Sequence, residues 1–174
     1  MPSRLRWDDP ASAKRRSLFL LESMSIQVHR ASRADAYDLA KLNQAFNEID
    51  TPVSWIEDAL SSPRTPEIVL VARSRNQAVG FACLRIAYSF CYDKPQGEIS
   101  ELFVVESHRR QGIAKRLVEQ LLKEAKAFGV FEIIVLTGGQ NETGQAFYQA
   151  LDFERATTYR FTSRSNRATL SPFA

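Results

Sequence analysis

The stretch 113–128 does most to limit what this chain can fold into. Ile113, Leu117, Val118, Leu121, Leu122, Ala125 and Phe128 form one apolar stripe at 3.6-residue spacing, the signature of a helix with one buried face. Lys123 and Lys126 stand in the last turns, where cations complement the helix dipole. Gly129 follows, where a left-handed residue ends a helix well. Strand-like segments flank this helix at 98–105 and 131–137, the second bounded by Gly138-Gly139. Strand, long helix, strand is a parallel crossover unit. It commits the chain to an α/β sandwich, with helices on a mixed sheet.

The remaining segments extend that pattern. Ile26-Gln27-Val28-His29-Arg30 alternates with period two, as a half-buried strand does. Ser32 is placed as a helix cap before Ala36, Leu39, Ala40, Leu42 and Asn43, and 53–60 reads as a second, short helix ended by Ser62-Pro63. The β-branched run 67–72 is a buried strand, and the turn Ser74-Arg75-Asn76-Gln77 joins it to a strand over 78–88 in a hairpin. A polar, aromatic loop over 89–97 follows, and beyond Gly139 a helix at 143–151 and a last strand at 157–162. The expected order is β-α-α-β-β-β-α-β-α-β, without internal repeats.

Composition matters here for what it excludes. The net charge of +3 gives no argument for nucleic acid, and no apolar run approaches the roughly 18 residues a membrane span needs. Cys83 and Cys91 are too few for a disulfide framework and lack metal-ligand spacing, so no metal is expected and two reduced thiols in a cytoplasmic protein are. Residues 1–23 read as a basic extension, poorly ordered, ahead of a single domain over 24–174. The alternatives are a targeting or membrane role, or burial of Leu18-Phe19-Leu20-Leu21 against the domain or a second subunit, which leaves a homodimer open.

The chemistry is concentrated in Arg109-Arg110-Gln111-Gly112-Ile113-Ala114, at the start of the long helix. Backbone N–H groups at a helix N-terminus lack internal partners, and the dipole adds partial positive charge. Gly112 lets an anion approach the backbone, and the two arginines offer charge to phosphate oxygens. A glycine tolerated beside a solvated basic turn is the plainer reading of the same residues.

The segment resembles motif A of the GNAT N-acetyltransferase superfamily, Arg/Gln-x-x-Gly-x-Gly/Ala, at Arg109, Gly112 and Ala114. Further on, Asn141, Tyr148, Asp152 and Phe153 match the second signature, Asn-x₂-Ala-x₃-Tyr-x₃-Gly-Phe, with Gly144 for alanine and Asp152 for glycine. The resemblance covers about 26–162 and is most specific over 98–153. It implies an acetyl-CoA-dependent N-acetyltransferase. The backbone of Arg110, Gln111, Gly112, Ile113, Ala114 and Lys115 would hold the pyrophosphate of coenzyme A. The fourth and fifth strands would splay, so that Leu102, Phe103 and Val104 present main-chain groups to pantetheine and thioester, with an N–H near Val104 polarising the acetyl carbonyl. Asn141 would bond the pantetheine arm, although a plain turn residue fits there nearly as well.

Tyr148 matches the position of the general acid; packing within Phe147-Tyr148-x-x-Leu151 is its alternative. For the base, Glu101 is the first choice and Glu98 the second. On a regular strand these two face opposite sides, a phase that a bulge would change. Glu48, Asp50, Glu57 and Asp58, with the aromatic stretch 88–93, would favour a small cationic amine as acceptor. The stretch 107–114 also looks similar to aminoglycoside 3-N-acetyltransferases, but only in the cofactor half. A protein N-terminus or lysine as acceptor, and a non-catalytic acyl-CoA-binding module, are the alternatives.

Overall fold

Charge buried at one corner and apolar residues on two faces organise a five-stranded sheet. The computed structural model describes residues 26–62 and 67–156. Its strands are β1 (Gln27–Arg30), β2 (Glu67–Ser74), β3 (Gln77–Ala87), β4 (Gln96–Val104) and β5 (Glu132–Val135), neighbours in that order. The first four pair antiparallel and β5 joins β4 in parallel, so the sheet is mixed, as the crossover demands. The helices are α1 (Ala36–Asn47), α2 (Val53–Ser61), α3 (Ile113–Ala127) and α4 (Glu142–Gln149). The expected last strand at 157–162, the extension 1–23 and Pro63 lie outside the described residues. No described helix is long and apolar enough to cross a membrane.

The chain divides into a larger unit running to Leu136 and a smaller one from Thr137. In the larger unit, period two sends alternate residues of β2 and β3 to opposite faces. One face gathers Val71, Phe81 and Cys83 against Leu39 and Leu42 of α1, with Ile56 and Leu60 of α2 beside them. The other face carries Ile68, Leu70, Ala82 and Leu84, each at most 1% exposed. The stripe of α3 (Ile113, Leu117, Val118, Leu121, Ala125) is equally buried, so it covers that second face. Leu122 and Phe128, counted in the stripe from spacing alone, end at its margin: Phe128 is 44% exposed. Gly129 has φ +73°, the left-handed conformation expected of it.

Asp35 ties β1, α1 and β2 together. Its carboxylate accepts the Ser32 N–H (2.9 Å) and hydroxyl (3.0 Å), and an Arg73 Nη2 bond at 2.8 Å, with His29 Nε2 at 3.2 Å. Arg73 also reaches Asp38 at 2.7 Å. Burial works to raise the Asp35 pKa, but Arg73, Ser32 and His29 together outweigh it and hold the carboxyl at about 2. A carboxyl depressed in the folded state adds stability that is full above its unfolded pKa and is lost as pH falls. About 2 kcal/mol should therefore disappear between about pH 4 and pH 2. Urea unfolding at pH 7 and pH 3 checks this: Asp35→Asn should be weaker at pH 7 and lose less on acidification. Equal pH dependence in both proteins would contradict the assignment.

In the smaller unit, α4 starts at Asn141, whose Oδ1 accepts the Gly144 N–H at 3.0 Å. Gln145 Nε2 donates to the carbonyls of Gly138 (3.1 Å) and Gly139 (2.9 Å), which fixes the glycine turn. Asp152 closes the helix at φ +62°, a left-handed conformation that Asp accepts more readily than most residues.

Candidate functional site

The turn before α3 leaves its N-terminus bare. Gly112 is the N-cap at φ +77°, where a side chain is strained, and a Cβ there would meet nothing within 4 Å. The first helical bond from this end is Arg116 N–H to the Gly112 carbonyl at 3.0 Å. The N–H groups of Ile113, Ala114 and Lys115 precede it without a side-chain cap, and no acidic residue stands in the first turn. Arg110 also has positive φ, +62°. For a residue with a Cβ this costs on the order of 1 kcal/mol, and two left-handed residues in three turn the backbone sharply into the helix.

The neighbouring side chains divide in role. Arg109 Nε donates to the Val104 carbonyl at 3.0 Å, tying the loop to the end of β4. Gln111 Nε2 donates to the Ser107 carbonyl at 3.3 Å, a bond within the loop. Lys115 stands loosely by Glu119 at 3.8 Å, an exposed pair of small energetic weight. Arg110 is exposed. An uncapped, acid-free helix start with basic side chains at its rim is chemically fitted to a pyrophosphate.

β4 has an open edge. Its pairing with β5 runs from Gln96–Glu132 to Ile99–Val135 and stops, whereas its pairing with β3 continues to Val104–Gly80. Beyond Ile99, then, β4 has no strand on its outer side among the described residues. Val105 N–H bonds the Val79 carbonyl at 2.9 Å. Alternating from there, the main-chain groups of Phe103 turn to β3, and those of Leu102 and Val104 to the open side. By this phase Phe103 differs from Leu102 and Val104, with which the resemblance groups it, in the side to which its main chain turns. Its ring instead packs on Phe46 (5.2 Å between centroids) and Phe81 (6.1 Å). With the Val104 carbonyl held by Arg109, the Val104 N–H is the edge's donor at that position.

The two candidate bases share a face. The register slips between Cys83 and Leu84, leaving Ser100 as a bulge: Glu101 lies opposite Cys83 and Glu98 opposite Arg85. Cys83 and Arg85 are two apart, so Glu98 and Glu101 stand on one side of the sheet, not on opposite sides as a regular strand has them. Glu67 joins them from β2, also opposite Arg85. Its Oε1 lies 3.4 Å from both Arg85 Nε and Ser100 Oγ. Burial raises the Glu101 pKa, Arg85 lowers it, and Glu67 and Glu98 raise it further. Burial, with the carboxylates of Glu67 and Glu101, pushes the Cys83 thiol well up, so it is no nucleophile. Glu67 and Arg85 escaped the sequence reading, although a charge beginning or interrupting an apolar strand was a visible signal.

In the smaller unit Tyr148 is half-buried between Phe147 (5.2 Å) and Phe153 (5.5 Å). Burial pushes its hydroxyl up to about 12. The Asn141 amide is engaged at both ends, capping Gly144 and donating to Thr137 Oγ1 at 3.0 Å. Of the residues read as an acceptor wall, Glu57 pairs with Arg33 at 3.0 Å, and Glu48 ends α1 at φ +59°. Tyr88, Phe90 and Tyr92 are all more than 60% exposed. Among the described residues no group of His, Cys, Asp and Glu is arranged to hold a metal.

Comparison with known proteins gives these features a context. The model of the Acetyltransferase (GNAT) family matches residues 34–153. Over 100 residues the chain is 31% identical to N-acetyltransferase family 8 member 3 of Mus musculus, covering 56% of this chain and 44% of that protein. Over 87 residues it is 30% identical to aminoglycoside N(6')-acetyltransferase type 1 of Salmonella typhimurium, covering 48% of this chain and 60% of that one. The match thus spans less than two thirds of either curated relative. Among solved structures, AAC(6')-Iy in complex with the bisubstrate analog CoA-S-monomethyl-acetylneamine superposes with a TM-score of 0.72 at 20% identity, covering 82% of this chain and 99% of that one. At that identity the likeness establishes the fold alone.

Proposed function

Because the chain belongs to the GNAT acetyltransferase family, we propose that it transfers the acetyl group of acetyl-CoA to a primary amine on a small cationic molecule. The observation that carries this reading is the pairing of a bare, acid-free helix N-terminus at Gly112 with an open β4 edge beyond Ile99. The first suits the pyrophosphate of coenzyme A and the second its amide-bearing arm. The neighbour solved with a bisubstrate analog that joins CoA to an acetylneamine supports both donor and acceptor class. Three carboxylates facing one guanidinium on the β2–β4 face favour a cationic acceptor.

Acetyl-CoA supplies an activated thioester, and this chain's groups handle the charge and protons. Glu101 takes a proton from the acceptor ammonium, freeing the nitrogen lone pair to attack the carbonyl carbon. Its raised pKa makes it a better base than an ordinary surface carboxylate. The Val104 N–H donates to the carbonyl oxygen as negative charge gathers there. When the carbon–sulfur bond breaks, Tyr148 gives its proton to the departing thiolate, and the second proton shed by the attacking nitrogen restores the Tyr148 hydroxyl. A hydroxyl held at about 12 stays protonated at neutral pH, as that donor must. Asn141 steadies the arm through the second N–H of its amide. Residues 24–174 act as one domain in this scheme, in the cytoplasm.

A panel of amines tests the reading by following release of the coenzyme A thiol. Small molecules with two or more ammonium groups should accept, and peptides with free N-termini or lysines should accept poorly. Preference for the peptides would move the acceptor to protein. Acetyl-CoA bound without turnover on any amine would leave a binding module.

A further inference from the structure

The row Glu67–Arg85–Glu98 crosses three strands directly beside Glu101. Glu67 and Glu98 both lie opposite Arg85, one on each neighbouring strand, and Glu101 follows on the same face because Ser100 is bulged out of register. The Arg85 side chain is 57% exposed and its contact with Glu67 is long, 3.4 Å, so it is not locked to one partner. The Glu67 carboxylate reaches across β3 toward Ser100, at 3.4 Å, which carries its charge toward β4. Glu101 itself is half-buried and forms no ion pair among the described residues. The groups facing it are Cys83 and Arg85 from β3, Glu67 from β2 and Glu98 from its own strand.

We propose that Arg85 is a positioning residue that favours the charged form of Glu101, and that Glu67 and Glu98 oppose it. The proposal rests on reading Glu101 as the base, since the arrangement then sets the pH at which the enzyme can accept the acceptor's proton. The physics is a balance of fixed charges at short range. The guanidinium, two residues along β3 from Glu101's partner Cys83, favours the carboxylate, and the carboxylates of Glu67 and Glu98, each opposite that guanidinium, disfavour it. Removing Arg85 should therefore act on Glu101 in the direction opposite to removing either glutamate. Three carboxylates at one face also raise the local concentration of an ammonium-bearing acceptor, with Arg85 limiting the excess to two negative charges.

The test is carboxyl NMR titration of Glu101 in the full chain, with Arg85→Gln, Glu67→Gln, Glu98→Gln and Arg85→Lys. Arg85→Gln should raise the Glu101 midpoint by about half a unit to one unit, and each glutamate variant should lower it by a similar amount. Arg85→Lys keeps the charge and should return the midpoint toward that of the unchanged protein. No shift in Arg85→Gln, or shifts of one sign in all variants, overturns the proposal. The acid limb of kcat/KM, measured alongside, separates it from the base reading. If the NMR midpoints move as expected while Glu101→Gln keeps its acid limb, the charge arrangement stands and the base is another group.

Discussion

Gly112→Asp should raise the acetyl-CoA dissociation constant by on the order of 100-fold or more, which is about 3 kcal/mol. Gly112 sits at φ +77° before an uncapped helix start, and the space around its Cβ position is empty. An aspartate there would cap the bare N–H groups itself and set a carboxylate against the pyrophosphate. Asp accepts left-handed backbone at moderate cost, so the protein should stay folded. Gly112→Ala controls for that cost: it carries the backbone strain without the charge and should bind several-fold more weakly, not a hundredfold. Isothermal titration of both variants, with melting temperatures, decides the matter. Unchanged affinity in a folded Gly112→Asp protein would remove the anion from this helix.

Tyr148→Phe should retain acetyl-CoA binding and lower turnover by about 10²-fold. The substitution removes the hydroxyl and keeps the ring between Phe147 and Phe153. Stability should therefore change little, because the ring contacts with Phe147 and Phe153 are retained. A variant with equal turnover would return Tyr148 to a packing role. A large drop in melting temperature would show that the hydroxyl is structural after all.

The elements that local chemistry dictates were legible in the sequence. The centre of the α3 stripe and the left-handed glycine after it follow from near neighbours in the chain, and both stand where they were expected. So does the hairpin of β2 and β3, whose Arg75 and Asn76 turn through positive φ. What escaped reading depends on residues distant in sequence. The bulge at Ser100 shows only in the partner strand's register, and nothing about serine announces it. Without the bulge Glu98 and Glu101 part company, and with it they share a face. The Asp35–Arg73 pair joins positions 38 apart. Ser32, expected as a helix cap, also bonds the Asp35 carboxylate that holds Arg73 of β2. A motif groups Phe103 with Leu102 and Val104, whereas strand phase counted from Val105 separates it from them. A motif marks which segment does the chemistry, and strand phase decides which atoms of that segment can.

The most direct measurement follows the acetyl group itself. Acetyl-CoA labelled in the acetyl carbonyl is incubated with the protein and the best acceptor from the amine panel, and both the label and the thiol are quantified. The predicted result is one label in a stable amide on the acceptor for each thiol released, with both signals falling together in Gly112→Asp and Tyr148→Phe. Thiol release with the label recovered as free acetate, or left on acetyl-CoA with every amine tested, would contradict acetyl transfer as the activity of this chain.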